Sequence, residues 1–175
     1  MALRIEPLAT SSVINAALSE ILVEVVAAGG SVSFMHPLSP ESAVNFWQAS
    51  LAAAGRGERI VLGAFDRDDL VGTVTLLLDL PPNQPHRAEI AMMTRLSHRH
   101  RGVATALLRA VDQFAMARGR TLLVLDTAVD DGASRLYEGM GFTLAGIIPD
   151  YALKPHGGLT GTMIYWKSLT ETAPN

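Results

Sequence analysis

Residues 99–104 have the residue types of a phosphate-binding loop. Their sequence is Arg-His-Arg-Gly-Val-Ala, and the apolar periodicity that follows predicts a helix over residues 103–118. The first N–H groups of a helix have no intrahelical acceptor and lie at the positive end of its dipole, so they can bind a pyrophosphate. Gly102 and Ala104 keep bulky side chains away from such a ligand. We therefore predict an anion site at the start of this helix.

A second motif, residues 136–142, places a phenol on a short predicted helix that ends at Gly141. It reads Leu-Tyr-Glu-Gly-Met-Gly-Phe. A phenol with an unperturbed pKa of about 10 stays protonated at neutral pH and can donate a proton to a departing thiolate. We therefore predict Tyr137 as a general acid. The alternative interpretation is a core tyrosine that packs the short helix against a sheet.

The order and spacing of the two motifs resemble those of the GNAT family of N-acetyltransferases. The resemblance implies acetyl-CoA as the acyl donor, with its pyrophosphate at residues 99–104. It also implies that the backbone of residues 92–94 pairs with the pantetheine arm in the manner of an added strand. The residues implied to bind acetyl-CoA are Met92, Met93, Thr94, Arg99, His100, Arg101, Gly102, Val103, Ala104, Thr105 and Ser134.

An amine acceptor needs a base, because an amine with a pKa of about 10 is protonated at neutral pH and cannot attack a thioester. Two carboxylates are candidates for this base. Glu89 lies on the predicted strand that leads to the phosphate-binding loop, where the resemblance implies a carboxylate that acts through water. Asp126 follows the apolar run 122–125, at a strand end where α/β sheets bind ligands. Surface exposure of Glu89 and turn capping by Asp126 are the alternatives.

Two further segments are predicted to bind the acceptor. In the fold that the resemblance implies, the loop between the first two helices and the hairpin between the last two strands lie opposite the thioester. These segments contain Gly-Gly-Ser-Val-Ser-Phe-Met at residues 29–35 and Pro-Asp-Tyr at residues 149–151, and both are similar to segments of a family member that confers resistance to a small toxin. The alternative for the loop is that its apolar side chains anchor it in the core. The predicted acceptor-binding residues are Ser31, Phe34, Met35 and Tyr151.

The bulk composition restricts the class of protein. At 175 residues, with 49% hydrophobic and 18% charged residues, the chain is predicted to form one domain over residues 1–169, followed by a flexible tail at residues 170–175. Its net charge of −3 argues against a general nucleic-acid-binding protein. The chain has no cysteine, which excludes disulfides, thiolate metal ligands and a cysteine acyl-enzyme, so we predict direct transfer.

The remaining composition predicts a cytoplasmic protein without a metal. The five histidines lack the spacing of a metal site. No segment has the length and apolarity of a membrane span, and the N terminus lacks the apolar run of a signal peptide. We expect a monomer or a homodimer that interacts with neither nucleic acid nor membrane.

Hydrophobic periodicity and turn residues predict the elements that position these side chains. Helices are predicted over residues 11–28, 39–54, 103–118 and 133–139, and strands over residues 3–7, 59–66, 70–80, 87–96, 122–125, 142–148 and 162–167. An irregular hairpin loop is predicted over residues 149–161. This order resembles the GNAT fold, an α/β fold whose mixed, mostly antiparallel sheet has helices on both faces.

We therefore predict an acetyl-CoA-dependent N-acetyltransferase that acts on the amine of a small molecule by direct attack in a ternary complex. The acceptor is expected to be amino-acid-like or dipeptide-like, such as a toxin or an antibiotic. The long loop at residues 29–38 favours a small acceptor over a protein N terminus or lysine. The alternative outside the enzymes is a non-catalytic acyl-CoA-binding regulator, and Tyr137 argues against it.

Overall fold

Seven strands and four helices build the protein, as seen in a computed structural model that describes residues 2–169. The predicted tail at residues 170–175 lies outside the described residues. The strands are β1 Leu3–Pro7, β2 Arg59–Asp66, β3 Asp69–Leu77, β4 Arg87–Thr94, β5 Leu122–Ala128, β6 Thr143–Leu153 and β7 Leu159–Ser168. The helices are α1 Ser12–Ala27, α2 Pro40–Gly55, α3 Val103–Ala117 and α4 Ser134–Gly139, and Leu96–His98 forms a single 3₁₀ turn.

Local sequence accounts for where these helices begin. The hydroxyl of Ser11 accepts a hydrogen bond from the Ile14 N–H and caps α1, and the hydroxyl of Ser39 caps α2 in the same way, with Pro40 in the first turn. By contrast, the residue that precedes α3 is Gly102, which has no side chain to cap the helix. Its first N–H groups are therefore left for another acceptor.

The strands form one sheet in the order β1-β2-β3-β4-β5-β7-β6. Every neighbouring pair is antiparallel except β4 and β5, which are parallel and are connected through α3. The predicted mixed, mostly antiparallel α/β fold is thereby confirmed. No helix within the described residues is long and apolar enough to cross a membrane.

The two faces of the sheet carry separate hydrophobic cores. On one face, α1 and α2 pack through Leu18, Leu22, Trp47 and Leu51 against Val61 and Phe65. On the other face, Leu107 and Val111 of α3 share a core with Leu62, Val74 and Leu76, and Tyr137 of α4 packs on Phe142 and Tyr165. Helices thus cover both faces, as predicted, and each strand residue can be placed on the α1/α2 face or on the α3/α4 face.

Gly72 sets the position of the α3 N terminus. A Cβ atom at this residue would lie 2.7 Å from Cγ1 of Val103, the first residue of α3. Only a residue without a side chain lets the first turn of α3 approach β3 so closely. The predicted phosphate-binding loop is consequently held against the sheet at the end of β4.

Several predicted boundaries are wrong. The strand predicted over residues 70–80 ends at Leu77, and the one predicted over residues 122–125 continues to Ala128, so Asp126 lies within β5 and not at its end. The strand predicted over residues 87–96 ends at Thr94, because the backbone N–H of Leu96 bonds to the Glu24 carboxylate on α1 rather than to a strand. The irregular loop predicted over residues 149–161 is mostly strand, with only residues 154–158 between β6 and β7. Pro149 fits because it lies in a bulge between Ile148 and Ala152 on an edge strand, where no ladder donor is needed.

Candidate active site

The sheet opens between β4 and β5. These strands pair only from Arg87 opposite Leu122 to Glu89 opposite Val124, and beyond that point they separate. Residues 90–94 stay paired with β3, so their other backbone edge faces the opening without a partner strand. A free strand edge can hydrogen-bond an extended ligand. The predicted pantetheine-binding residues Met92, Met93 and Thr94 all lie on this edge.

The opening leads to the predicted phosphate-binding loop. Gly102 has a φ of 81°, and a Cβ atom there would meet no other atom within 4 Å. The first backbone hydrogen bond of α3 joins the Ala106 N–H to the Gly102 carbonyl, and the N–H groups of Val103, Ala104 and Thr105 find no acceptor among residues 2–169. Three backbone donors and the positive helix end are therefore available to an anion.

Three basic side chains surround these donors. Arg99, His100 and Arg101 are exposed, and none forms an ion pair within the described part of the chain. Two neighbouring basic residues are engaged instead: Arg95 lies 3.3 Å from both Glu20 and Glu24, and His98 lies 3.5 Å from Asp66. The ion pairs of Arg95 anchor the loop to α1, and within this segment the basic side chains without an ion-pair partner among residues 2–169 are those of residues 99–101.

Tyr137 lies in α4 with only 8% of its surface exposed. Its ring packs edge-on against Phe142 at 5.9 Å and lies 5.7 Å from the ring of Tyr165. Burial, together with smaller contributions from the carboxylates of Asp131 and Asp126, raises the pKa of the Tyr137 phenol to about 12. The phenol is therefore fully protonated at neutral pH, as a proton donor must be. The structure thus shows Tyr137 as a core residue, and its role as a proton donor, which is compatible with that packing, stays a prediction.

The raised pKa of Tyr137 predicts a pH dependence of stability. Because the folded-state pKa of about 12 exceeds that of an unfolded tyrosine, the contribution of Tyr137 is complete below about pH 10 and is lost as the pH rises towards 12. Between about pH 10 and 12, the unfolding free energy should therefore fall by about 2 kcal/mol more in the parent than in Tyr137→Phe. Urea denaturation of both proteins across this range measures the difference, and parallel curves would contradict it.

The two predicted bases share the α1/α2 face of the sheet. Neighbours of Glu89 and Asp126 in sequence, namely Ala88, Ile90 and Leu125, belong to the core on the α3/α4 face, so both carboxylates point the other way. Glu89 forms an ion pair with Arg87 at 2.7 Å, at the point where β4 and β5 separate.

Asp126 lies on β5, two residues after Val124, which pairs with Glu89. Its side chain is exposed. Its Oδ2 accepts a 3.4 Å hydrogen bond from the Thr162 hydroxyl. The opening is thus flanked by carboxylates on one face of the sheet and by the Tyr137 phenol on the other.

The predicted acceptor residues lie in two different environments. Ser31 and Phe34 are half-buried in the loop between α1 and α2, where the Phe34 ring contacts Phe46 at 5.1 Å. The side chain of Met35 is 47% exposed. Tyr151 is exposed in the β6 bulge. Of the predicted cofactor residues, Ser134 begins α4 and its hydroxyl donates to Met163 Sδ at 3.5 Å.

Contacts that the sequence did not reveal join the two acceptor segments. The His36 N–H donates to the Pro155 carbonyl at 2.9 Å, the His36 and His156 rings lie 4.3 Å apart, and His156 Nε2 lies 2.8 Å from the Ala27 carbonyl oxygen. The loop after α1 lies on the β4 side of the opening, because α1 packs on β3 and β4. The turn between β6 and β7 lies on the β7 side. These contacts of His36 and His156 therefore form a bridge across the opening on the α1/α2 face.

The β6–β7 turn is also tied to the loop that follows β5. Asp130 forms an ion pair with Lys154 at 2.6 Å and accepts a hydrogen bond from Thr160 at 2.6 Å. These two partners lower the pKa of Asp130 to about 2. Beside it, burial and the Asp130 carboxylate raise the pKa of Asp131, whereas Arg99 lowers it. The loops after β4 and β5 thus face each other across the mouth of the opening.

Known proteins share this fold and sequence pattern. The family model of the acetyltransferase (GNAT) family matches residues 28–142. N-acetyltransferase 8F1 of Rattus norvegicus is 39% identical over 82 residues, which are 45% of this chain and 37% of that protein. The match thus covers little more than a third of the length of that relative.

Solved structures match along almost the whole chain. The N-acetyltransferase of Staphylococcus aureus Mu50 has a TM-score of 0.82 and 18% identity, over 97% of this chain and all of that one. The acetyltransferase yncA of Salmonella typhimurium, solved with acetyl-CoA, has a TM-score of 0.77 and 18% identity, over 100% and 99% of the two chains. Together with the family match over residues 28–142, the shared fold leads to one conclusion: this chain belongs to the GNAT family of acetyltransferases.

Proposed function

We propose that this protein transfers the acetyl group of acetyl-CoA to the amine of a small molecule. The observation that carries the proposal is the continuity of one site. The free edge of β4 leads from the carboxylates at its base to the uncapped start of α3. An extended ligand with an anionic end fits this path, because the edge offers backbone hydrogen bonds and the helix start offers N–H donors.

The proposed base and the proposed acid lie on opposite faces of the sheet. Bound acetyl-CoA supplies an activated thioester. Glu89 or Asp126 accepts the proton of the incoming ammonium group from the α1/α2 face, directly or through water. Tyr137, whose raised pKa keeps it protonated, donates a proton to the departing thiolate from the α3/α4 face. Transfer within a ternary complex needs no enzyme nucleophile, and the chain has no cysteine to serve as one.

The bridge across the α1/α2 face supports a small acceptor. His36 and His156 join the loop after α1 to the β6–β7 turn, so a long peptide has less room to lie across the opening than a compact amine. The segments at residues 29–35 and 149–151 also resemble those of the tabtoxin-resistance acetyltransferase, which favours an amino-acid-like or dipeptide-like acceptor. The expected cytoplasmic location stays a prediction.

A screen of amines with acetyl-CoA tests this function through the thiol that is released. Because the chain has no cysteine, a thiol reagent added directly to the reaction reports only free CoA. Amino acids, dipeptides, amine toxins and antibiotics form one set, and peptides with a free N terminus or lysine form the other. Turnover with the first set supports the proposal, and faster turnover with the second favours a protein acetyltransferase. Tight CoA binding without any amine-dependent thiol would indicate a non-catalytic regulator.

Met35 and Phe34 are expected to respond differently to replacement by alanine. The Met35 side chain is exposed, so Met35→Ala should raise the KM for the acceptor by about 3-fold to 10-fold and leave stability and acetyl-CoA affinity unchanged. Phe34 packs on Phe46 and on the α1/α2 core, so Phe34→Ala should lower the melting temperature as well. The KM values and melting curves of both variants test this, and an unchanged acceptor KM in both would remove this loop from the acceptor site.

A further inference from the structure

Arg87 contacts the carboxylate of Glu89, one of the two proposed bases, through an ion pair within β4. Its Nη1 lies 2.7 Å from Oε1 of Glu89. Both side chains lie on the α1/α2 face, because Ala88 between them belongs to the core on the α3/α4 face. Glu89 is the last residue of β4 that pairs with β5, so Arg87 precedes it on the side away from the opening. The guanidinium therefore holds the carboxylate from behind.

The guanidinium of Arg87 is itself held in place. Its Nε and Nη2 both donate to Oε1 of Gln84, at 2.8 and 2.5 Å. Gln84 lies in the turn before β4, where its backbone N–H donates to the Pro81 carbonyl at 2.8 Å and its carbonyl accepts from the Arg87 N–H at 3.3 Å. The Arg87 side chain is only 19% exposed. Because all three guanidinium nitrogens are engaged, this planar group has little freedom to turn.

The pair of Arg56 and Glu58 shows an ion pair of the same spacing without such support. These residues are also two positions apart and are joined by hydrogen bonds of 2.6 and 2.9 Å. The Arg56 side chain is 59% exposed, and among residues 2–169 its guanidinium bonds to Glu58 alone. Exposed pairs of this kind stabilise a protein little and do not fix one geometry. The contacts of Arg87 with Gln84 therefore distinguish the pair at the opening.

One oxygen of Glu89 stays available for chemistry. Arg87 bonds to Oε1, whereas Oε2 has no hydrogen-bond partner in the part of the chain that the structure describes. The Glu89 side chain is 42% exposed, so water or an ammonium group can reach it. Asp126, the other proposed base, receives a 3.4 Å bond from a neutral donor, the Thr162 hydroxyl. Hydrogen bonds between charged groups are shorter and stronger, so Glu89 is the better positioned of the two carboxylates.

We infer that Arg87 and Gln84 are positioning residues that fix Glu89 as the base for acetyl transfer. The inference rests on the proposed function and extends it by choosing between the two carboxylates. The free oxygen of Glu89 takes a proton from the ammonium group, directly or through water, and the amine keeps the electron pair with which it attacks the thioester. Arg87 and Gln84 act only through Glu89, because a fixed carboxylate stays within hydrogen-bond reach of that proton.

A double-mutant cycle tests this inference with the amine that reacts fastest in the screen described above. Arg87→Met should lower kcat by about 10-fold to 100-fold and leave acetyl-CoA affinity unchanged. Arg87→Lys keeps the charge but cannot contact Gln84 and Glu89 as a planar fork, so it should recover only part of the loss. Gln84→Leu should lower kcat less than Arg87→Met, because the ion pair remains. In a Glu89→Gln background, Arg87→Met should change the residual rate by less than about 2-fold.

Arg56→Met is the matched control, since it breaks an ion pair of the same spacing at the end of α2 and should leave kcat unchanged. A parental kcat in Arg87→Met would overturn the inference. So would an equal loss of rate with and without the Glu89 carboxylate, because Arg87 would then act through the structure of β4 alone. Either result requires amine-dependent turnover by the parent, so the proposed function would stand. A parent without such turnover would overturn the proposed function and this inference together.

Discussion

Replacing Gly102 by aspartate is expected to abolish the binding of acetyl-CoA and of free CoA while the fold stays intact. The new carboxylate would lie at the start of α3, beside the three N–H groups that have no acceptor, and would compete with and repel a pyrophosphate. We expect affinity to fall at least about 100-fold. The left-handed φ of 81° strains an aspartate by about 1 kcal/mol, but a negative charge at a helix N terminus offsets much of that cost.

Two variants separate charge from strain in this prediction. Gly102→Asn imposes the same backbone strain without a negative charge, so it should weaken CoA binding far less than Gly102→Asp. Gly119→Asp introduces the same residue at the other end of α3, where φ is 67° and the space is equally open, and should leave CoA affinity unchanged. Calorimetric titration with CoA and a melting curve for each variant decide the matter. If Gly102→Asp binds CoA as tightly as the parent, the anion site lies elsewhere.

Sequence predicts those parts of the site that depend on neighbours along the chain. The start of α2 at Ser39 and Pro40 follows from capping, and the phosphate-binding loop follows from a glycine that precedes an amphipathic helix. Each of these features is decided within one or two helical turns. The same holds for Tyr137, which the motif at residues 136–142 places on α4. Local patterns were therefore sufficient for the loop and the helix start at which we propose that the pyrophosphate binds.

Features that depend on distant contacts were not predictable in the same way. No pattern in β4 or β5 shows that the two strands separate after Glu89 and Val124, because their apolar runs would equally suit a continuous pair. The contact of His156 with Ala27 joins residues 129 positions apart, and a histidine in a polar loop gives no sign of such a partner. The segments that we propose bind the acceptor are joined by contacts of this kind. Their residues could consequently be named from the family resemblance but not from local physical patterns.

The hairpin of β6 and β7 was also not predictable from local sequence. Pro149 and the glycines near it predict a loop, since they disfavour a central strand. An edge strand tolerates both, because half of its backbone groups need no partner, and β6 lies at the edge. Position in the sheet therefore outweighed local propensity, and the resulting strand is exposed along its whole length.

Tyr137→Phe is expected to separate catalysis from binding. The phenylalanine ring keeps the packing against Phe142 and Tyr165, so affinity for CoA and stability near neutral pH should change little. Loss of the hydroxyl removes the proton donor for the departing thiolate, which should lower kcat by about 100-fold or more. Tyr137 is suited to this role because it is protonated at neutral pH, and because no group among the described residues accepts a hydrogen bond from its hydroxyl.

Tyr165→Phe is the matched control, since the same atom is removed from a ring 5.7 Å away. The Tyr165 hydroxyl donates to Glu138 at 3.4 Å, and the residue is 1% exposed, so its loss should affect stability rather than turnover. Steady-state kinetics and CoA titration on both variants, with single-turnover rates to isolate the chemical step, measure the contrast. An equal loss of rate in the two variants would mean that the aromatic cluster acts through packing alone. An unchanged single-turnover rate in Tyr137→Phe would mean that the thiolate leaves without help from this phenol.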